Sequence, residues 1–167
     1  MGDPVNERKF NAGEPLAYFI TWTCYGTWLS GDERGSWKRG EWQSPNSVFR
    51  EMAAAEEKET PFYLQLDDRN IVSQTISKHC EIRNWTLWTE SIRTNHVHLV
   101  VTAPGYQPEV VSEQFKAWCT RKLKPTHSDR KRFWTEGASR RWINHEEDLD
   151  AVIQNVNEAQ DRKQRDD

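Results

Sequence analysis

The sequence predicts an α+β domain: a ferredoxin-like βαββαβ antiparallel sheet with helices on one face, plus a C-terminal helix. Three observations carry this. Strand-type and helix-type patterns alternate along the chain in the order β-α-β-β-α-β-α. The two central strand patterns are joined only by Arg93-Thr94-Asn95, short enough for a hairpin. Nine Trp, four Tyr and six Phe supply large rings for a core, although mean hydropathy is -0.95. A length of 167 residues suits one domain, taken as 16–162, between an N-terminal arm 1–15 and a tail 163–167.

Each element has its own signal. Leu16 to Tyr25, LAYFITWTCY, is aromatic and β-branched and reads as the first strand. The stretch that follows holds Trp28, Trp37 and Trp42 among glycines, and reads as an irregular packed loop. Phe49 to Lys58 is acidic and reads as a short helix or an exposed segment. Asp67-Asp68 are N-cap-type residues for a helix to about Arg83, with Ile71, Val72, Ile76, His79 and Cys80 at helical spacing. Trp85–Ile92 and His96–Thr102 read as strands. A helix from Pro108 to Lys124 turns Val111, Phe115, Trp118 and Cys119 to one face, and Pro125 ends it. Arg140–Ile143 reads as the last strand. Asn144 with Glu147 resembles a capping box that opens a helix to about Arg162, with Leu149, Val152, Ile153 and Val156 as its apolar stripe.

Composition limits the function. No apolar run approaches the ~18 residues of a membrane span, and the N-terminus has no apolar signal region, so neither membrane nor export is expected. Cys24, Cys80 and Cys119 form no CxxC pair, so buried thiols in a reducing cytoplasm are expected. Net charge is -3, but Lys116 to Arg141 holds nine basic residues against Asp129 and Glu136. With Phe115, Trp118, Phe133, Trp134 and Trp142 interleaved, that stretch suits a single-stranded nucleic acid, phosphates on cations and bases on rings. A solvated helix face beside core aromatics explains the same pattern.

The chemistry centres on Asn95-His96-Val97-His98-Leu99-Val100-Val101. Alternation along a strand puts His96 and His98 on one face and Val97, Leu99 and Val101 on the other. Two imidazoles at i and i+2 can bind one divalent metal and leave positions for a third ligand and a phosphate oxygen. His79, His127 and His145 read as structural or exposed.

From Leu16 to Gln160 the sequence resembles the IS200/IS605-type tyrosine transposases and their REP-associated relatives. The resemblance lies in the first strand, the histidine-hydrophobe-histidine (HUH) strand Asn-His-Val-His-Leu, the amphipathic helix after it, and Phe133-Trp134-Thr135-Glu136-Gly137 before a last strand and helix. It implies metal-assisted phosphodiester transesterification on single-stranded or hairpin DNA. Mg²⁺ or Mn²⁺ would be held by His96 and His98, and a tyrosine of the last helix would attack the phosphate. It further implies DNA contacts at Lys116, Arg121, Lys122, Arg140 and Arg141, and pairing of two chains as a homodimer.

The last helix has no tyrosine. Asn155 stands where the resemblance expects one, about 110° from the centre of the apolar stripe. An amide hydrogen-bonds but does not attack. For the third metal ligand the resemblance indicates Gln160; local helix geometry and a carboxylate's suitability for Mg²⁺ indicate Glu158. Tyr25 and Tyr106 are the candidates for a compensating nucleophile. The readings are therefore a DNA strand transferase with an altered nucleophile, a catalytically inactive single-stranded or hairpin DNA-binding module, and, third, an RNA binder with stacking aromatics on its sheet.

Overall fold

A computed structural model describes residues 14–27, 36–38, 41–43 and 59–166, with the side chains of 14–27 and 59–158. The elements run β1 (Ala17–Thr23), β2 (Ser36–Lys38), β3 (Glu41–Gln43), α1 (Leu66–Arg83), β4 (Thr86–Ile92), β5 (His96–Thr102), α2 (Pro108–Leu123), β6 (Ser139–Ile143) and α3 (Glu146–Asp166). The main sheet has the order β4-β5-β1-β6, with every neighbouring pair antiparallel. This is the expected ferredoxin-like arrangement.

Alternation along the central strands divides the core between two faces. Tyr18, Ile20, Trp22 and Cys24 of the β1 segment and Val97, Leu99 and Val101 of β5 point one way. They meet Val72, Ile76 and Cys80 of α1 and Val111, Phe115, Cys119 and Leu123 of α2. Ala17 and Val100 point the other way and pack with Ile143 of β6 and Leu149 of α3, flanked by Phe19, Trp88, Val152 and Ile153. So α1 and α2 cover one face, while α3 crosses the face that carries the histidines. A β-bulge between Leu87 and Thr89 turns Trp88 to the α3 side, where its Nε1 donates to Thr102 Oγ1 at 2.8 Å.

Several boundaries differ from the sequence reading. The stretch read as an irregular loop contains a two-stranded hairpin, β2 with β3, in which Trp37 pairs with Trp42; aromatic residues favour strands even among glycines. Trp28 and Phe49–Lys58 lie outside the described residues. Gln65, not Asp67 or Asp68, is the N-cap of α1; Asp68 sits three residues inside and accepts the Gln65 N–H at 3.0 Å. Trp85 precedes β4, in the turn that closes α1. Asn84 takes the left-handed conformation at φ 61°, and Trp85 N–H reaches back to Cys80 O at 2.9 Å. α3 begins at Glu146, with His145 O accepting the Leu149 N–H, so Asn144 precedes its first turn. The helix continues through Asp166, past the expected end near Arg162. Trp118 is exposed rather than in the core, and carries the Arg121 guanidinium 4.5 Å over its ring. Among the described residues no helix is long and apolar enough to cross a membrane.

Candidate functional site

Residues paired across antiparallel strands share a sheet face. Ser91, His98, Thr21 and Ser139 therefore form a polar row from β4 to β6. Toward the hairpin, Thr23 pairs with His96, and Arg93 N–H donates to His96 O at 2.8 Å. In the opposite direction lie Thr89, Val100, Phe19 and Arg141.

The two imidazoles sit side by side, their ring centroids 4.4 Å apart and their planes at 77°. His96 Nδ1 donates to Asn95 Oδ1 at 2.6 Å. His98 Nδ1 shares a 2.8 Å hydrogen bond with Thr21 Oγ1, and its ring lies parallel to Phe19 with centroids 5.9 Å apart. Both rings are half-buried. Arg93 is buried, and its Nε donates to Ser91 Oγ, the cross-strand neighbour of His98, at 2.8 Å. Sequence reading missed Arg93. A single arginine at a hairpin end has no periodicity; only its position opposite His96 could have marked it.

Of the predicted third ligands, Glu158 is exposed and accepts a hydrogen bond from Gln154 Nε2 at 2.9 Å. The side chain of Gln160 lies outside the described residues. Among the described residues there is no group of three or more His, Cys, Asp and Glu that could hold a metal. The side chain that α3 brings to this face at β4 is that of Asn157, which accepts from Thr89 Oγ1 at 2.5 Å. Asn155 is exposed and lies about 200° round the helix from Asn157.

The basic stretch is largely internal wiring. Lys116 is 7% exposed, and its ammonium donates to Thr135 O at 3.1 Å and Gly137 O at 2.9 Å. Burial holds its pKa below the ordinary lysine value, with Glu113 opposing the shift. Arg140 donates to Ser112 Oγ on the α2 side of the sheet. Lys124 bonds Arg130 O, Arg130 bonds Thr60 O, and Arg132 pairs with Glu59. Arg121 and Lys122 are exposed on α2, across the sheet from the histidines. Of the five predicted DNA contacts, Arg141 alone is on a strand residue facing the histidine side, two residues from the His98 row.

The tyrosines are distributed elsewhere. Tyr18 faces the α2 side and donates to Tyr106 O at 2.7 Å; burial raises its pKa, with Glu14 and Glu109 adding to the shift. Tyr106 packs on Trp85, Tyr25 lies under Arg130, and Tyr63 is exposed. The cysteines are buried and unpaired with one another. Burial pushes the thiols of Cys24 and Cys80 up to about 12, and that of Cys119 higher, so they are not nucleophiles at neutral pH.

No family model matches the sequence, and no curated protein matches it. Solved structures similar to it include the following two. One is a REP-associated tyrosine transposase bound to a REP hairpin: 13% identity, TM-score 0.54, covering 93% of this chain and 70% of that one. The other is a Deinococcus radiodurans protein described as a candidate transposase, with 13% identity, TM-score 0.47, and coverage of 91% of this chain and 97% of that one. The first of these likenesses, spanning nearly the whole chain, establishes that this α+β domain has the fold of a tyrosine transposase.

Proposed function

We propose that this chain binds single-stranded or hairpin DNA across the His96/His98 face, holding a phosphate there with Mg²⁺ or Mn²⁺, and that it forms no covalent phosphotyrosine. One observation carries the reading: paired imidazoles lie on a polar sheet face flanked by Arg93 and Arg141, and the helix crossing that face has no tyrosine. The similar solved transposase is bound to a DNA hairpin, which supports DNA as the partner.

The residues present fit a divalent ion in part. Metal-ligating histidines characteristically donate their second ring nitrogen to a fixed acceptor, as His96 does to Asn95. His96 and His98 would supply two ligands, and Glu158, Gln160 or a DNA phosphate oxygen the next. The bound ion would neutralise phosphate charge. Arg141 would contact a neighbouring phosphate, and the hydroxyls of Thr21, Thr23 and Ser139 would offer hydrogen bonds to the backbone. Asn155 would take no part as a nucleophile.

The test incubates the chain with labelled hairpin DNA carrying a single-stranded flank, with Mn²⁺, and measures retardation on native gels and adduct on denaturing gels. Retardation without adduct is expected. An adduct that Tyr25→Phe or Tyr106→Phe abolishes would establish strand transfer and overturn the proposal, as would the absence of retardation.

A further inference from the structure

We infer that Asn95 is a positioning residue that holds the His96 imidazole with the proton on Nδ1. A neutral imidazole carries one N–H, and the nitrogen that bears it is set by the hydrogen bond it makes. An amide oxygen only accepts, so Asn95 Oδ1 at 2.6 Å fixes the proton of His96 on Nδ1. Thr21 Oγ1, 2.8 Å from His98 Nδ1, is a hydroxyl that donates as readily as it accepts, so it does not select a tautomer in the same way.

The ordinary reason for an asparagine at a hairpin end does not account for this one. Asparagine is favoured in two-residue hairpin turns because it tolerates positive φ. Asn84 is the one described non-glycine residue at positive φ, so Asn95 is not there for its backbone conformation. Its main chain is pinned instead: Asn95 O accepts the Cys24 N–H at 2.8 Å and Thr27 Oγ1 at 3.3 Å. The acceptor is thereby held rigidly beside His96.

The purpose of this arrangement rests on the metal reading above; the arrangement itself is measured without metal. Two-bond ¹H–¹⁵N spectra of the full chain at about pH 8, where imidazole is neutral, report which nitrogen is protonated. Wild type is expected to show the Nδ1–H form at His96. Asn95→Ala is expected to release it. Asn95→Asp, which keeps an acceptor, is expected to retain the wild-type form, and it separates the role from any loss of folding. In the same samples Mn²⁺ affinity is expected to fall about 10–100-fold in Asn95→Ala. An unchanged Nδ1–H signal in Asn95→Ala, or a wild-type His96 protonated on Nε2, overturns the inference. Wild-type chain that shows the stated signals yet binds no Mn²⁺ overturns the metal reading, and the assignment of the proton then stands on the spectra.

Discussion

Thr89 on β4 donates a 2.5 Å hydrogen bond to Asn157 on α3, two residues from Ser91, the cross-strand partner of His98. This bond reports the rotation of the helix over the histidine face, where Leu149, Val152 and Ile153 pack it down. Asn155, about 200° away on the helix, is turned to the opposite rim. A tyrosine at 157 is therefore expected to enter the face and one at 155 to miss it. With hairpin DNA and Mn²⁺, Asn157→Tyr should give a covalent adduct on denaturing gels and Asn155→Tyr none. Adduct from the 155 variant alone would show that the helix turns differently when DNA is bound.

Lys116 illustrates how charge in a sequence differs from charge at a surface. Lys116→Met keeps the length of the stem but leaves the carbonyls of Thr135 and Gly137 without their donor. A loss of about 2 kcal/mol in unfolding free energy is expected from hydrogen bonds of this charged kind. DNA affinity, measured on the remaining folded protein, should not change. Chemical denaturation and gel retardation check the two halves. Weakened DNA binding at wild-type stability would return Lys116 to the interface.

Arg141 and Arg121 are both exposed, but on opposite sides of the sheet. Removing one phosphate contact lowers the slope of log affinity against log salt by about 0.7 for single-stranded DNA. Arg141→Ala is expected to lose that amount, and Arg121→Ala to leave the slope unchanged while losing its stacking on Trp118. Titrations at several salt concentrations decide this, and the opposite assignment would move the interface to α2.

The fold was legible because each strand alternates or is uniformly apolar and each helix has its stripe. LAYFITWTCY and NHVHLVV are the two central strands, and their inward residues are the core. The face that α3 covers was not legible, because the stripe Leu149, Val152, Ile153, Val156 shows that a helix packs without showing against what. His96 and His98 stood out because a period of two is visible in sequence. Thr21 and Arg93 did not, since their places beside the histidines depend on strand register, a long-range property. The internal bonds of the basic stretch were not legible, because a count of charges does not reveal that Lys116, Lys124, Arg130, Arg132 and Arg140 bond to nearby loops and side chains.

Glu90 gives the fold a pH dependence of its own. Its carboxylate lies on the α1 side of β4, where Ser73 Oγ donates to Oε1 and Oε2 is buried without a hydrogen-bond partner. The thiols of Cys80 and Cys119 face the same space, and burial keeps both neutral through the acidic and neutral range. Burial raises the Glu90 pKa above the ordinary 4.5, and the Ser73 hydrogen bond only partly opposes it. Between 4.5 and the raised value the folded chain therefore holds a proton that the unfolded chain has released. The stabilisation from this group is complete below 4.5 and is lost as pH rises through the folded pKa, where a buried charge must form. Glu90→Gln keeps the shape and removes the ionisation. Its melting temperature is expected to exceed that of wild type at neutral pH, with the gap narrowing as the pH falls toward 4.5. Parallel melting curves across that range would show that the Glu90 carboxylate is solvated in the folded state.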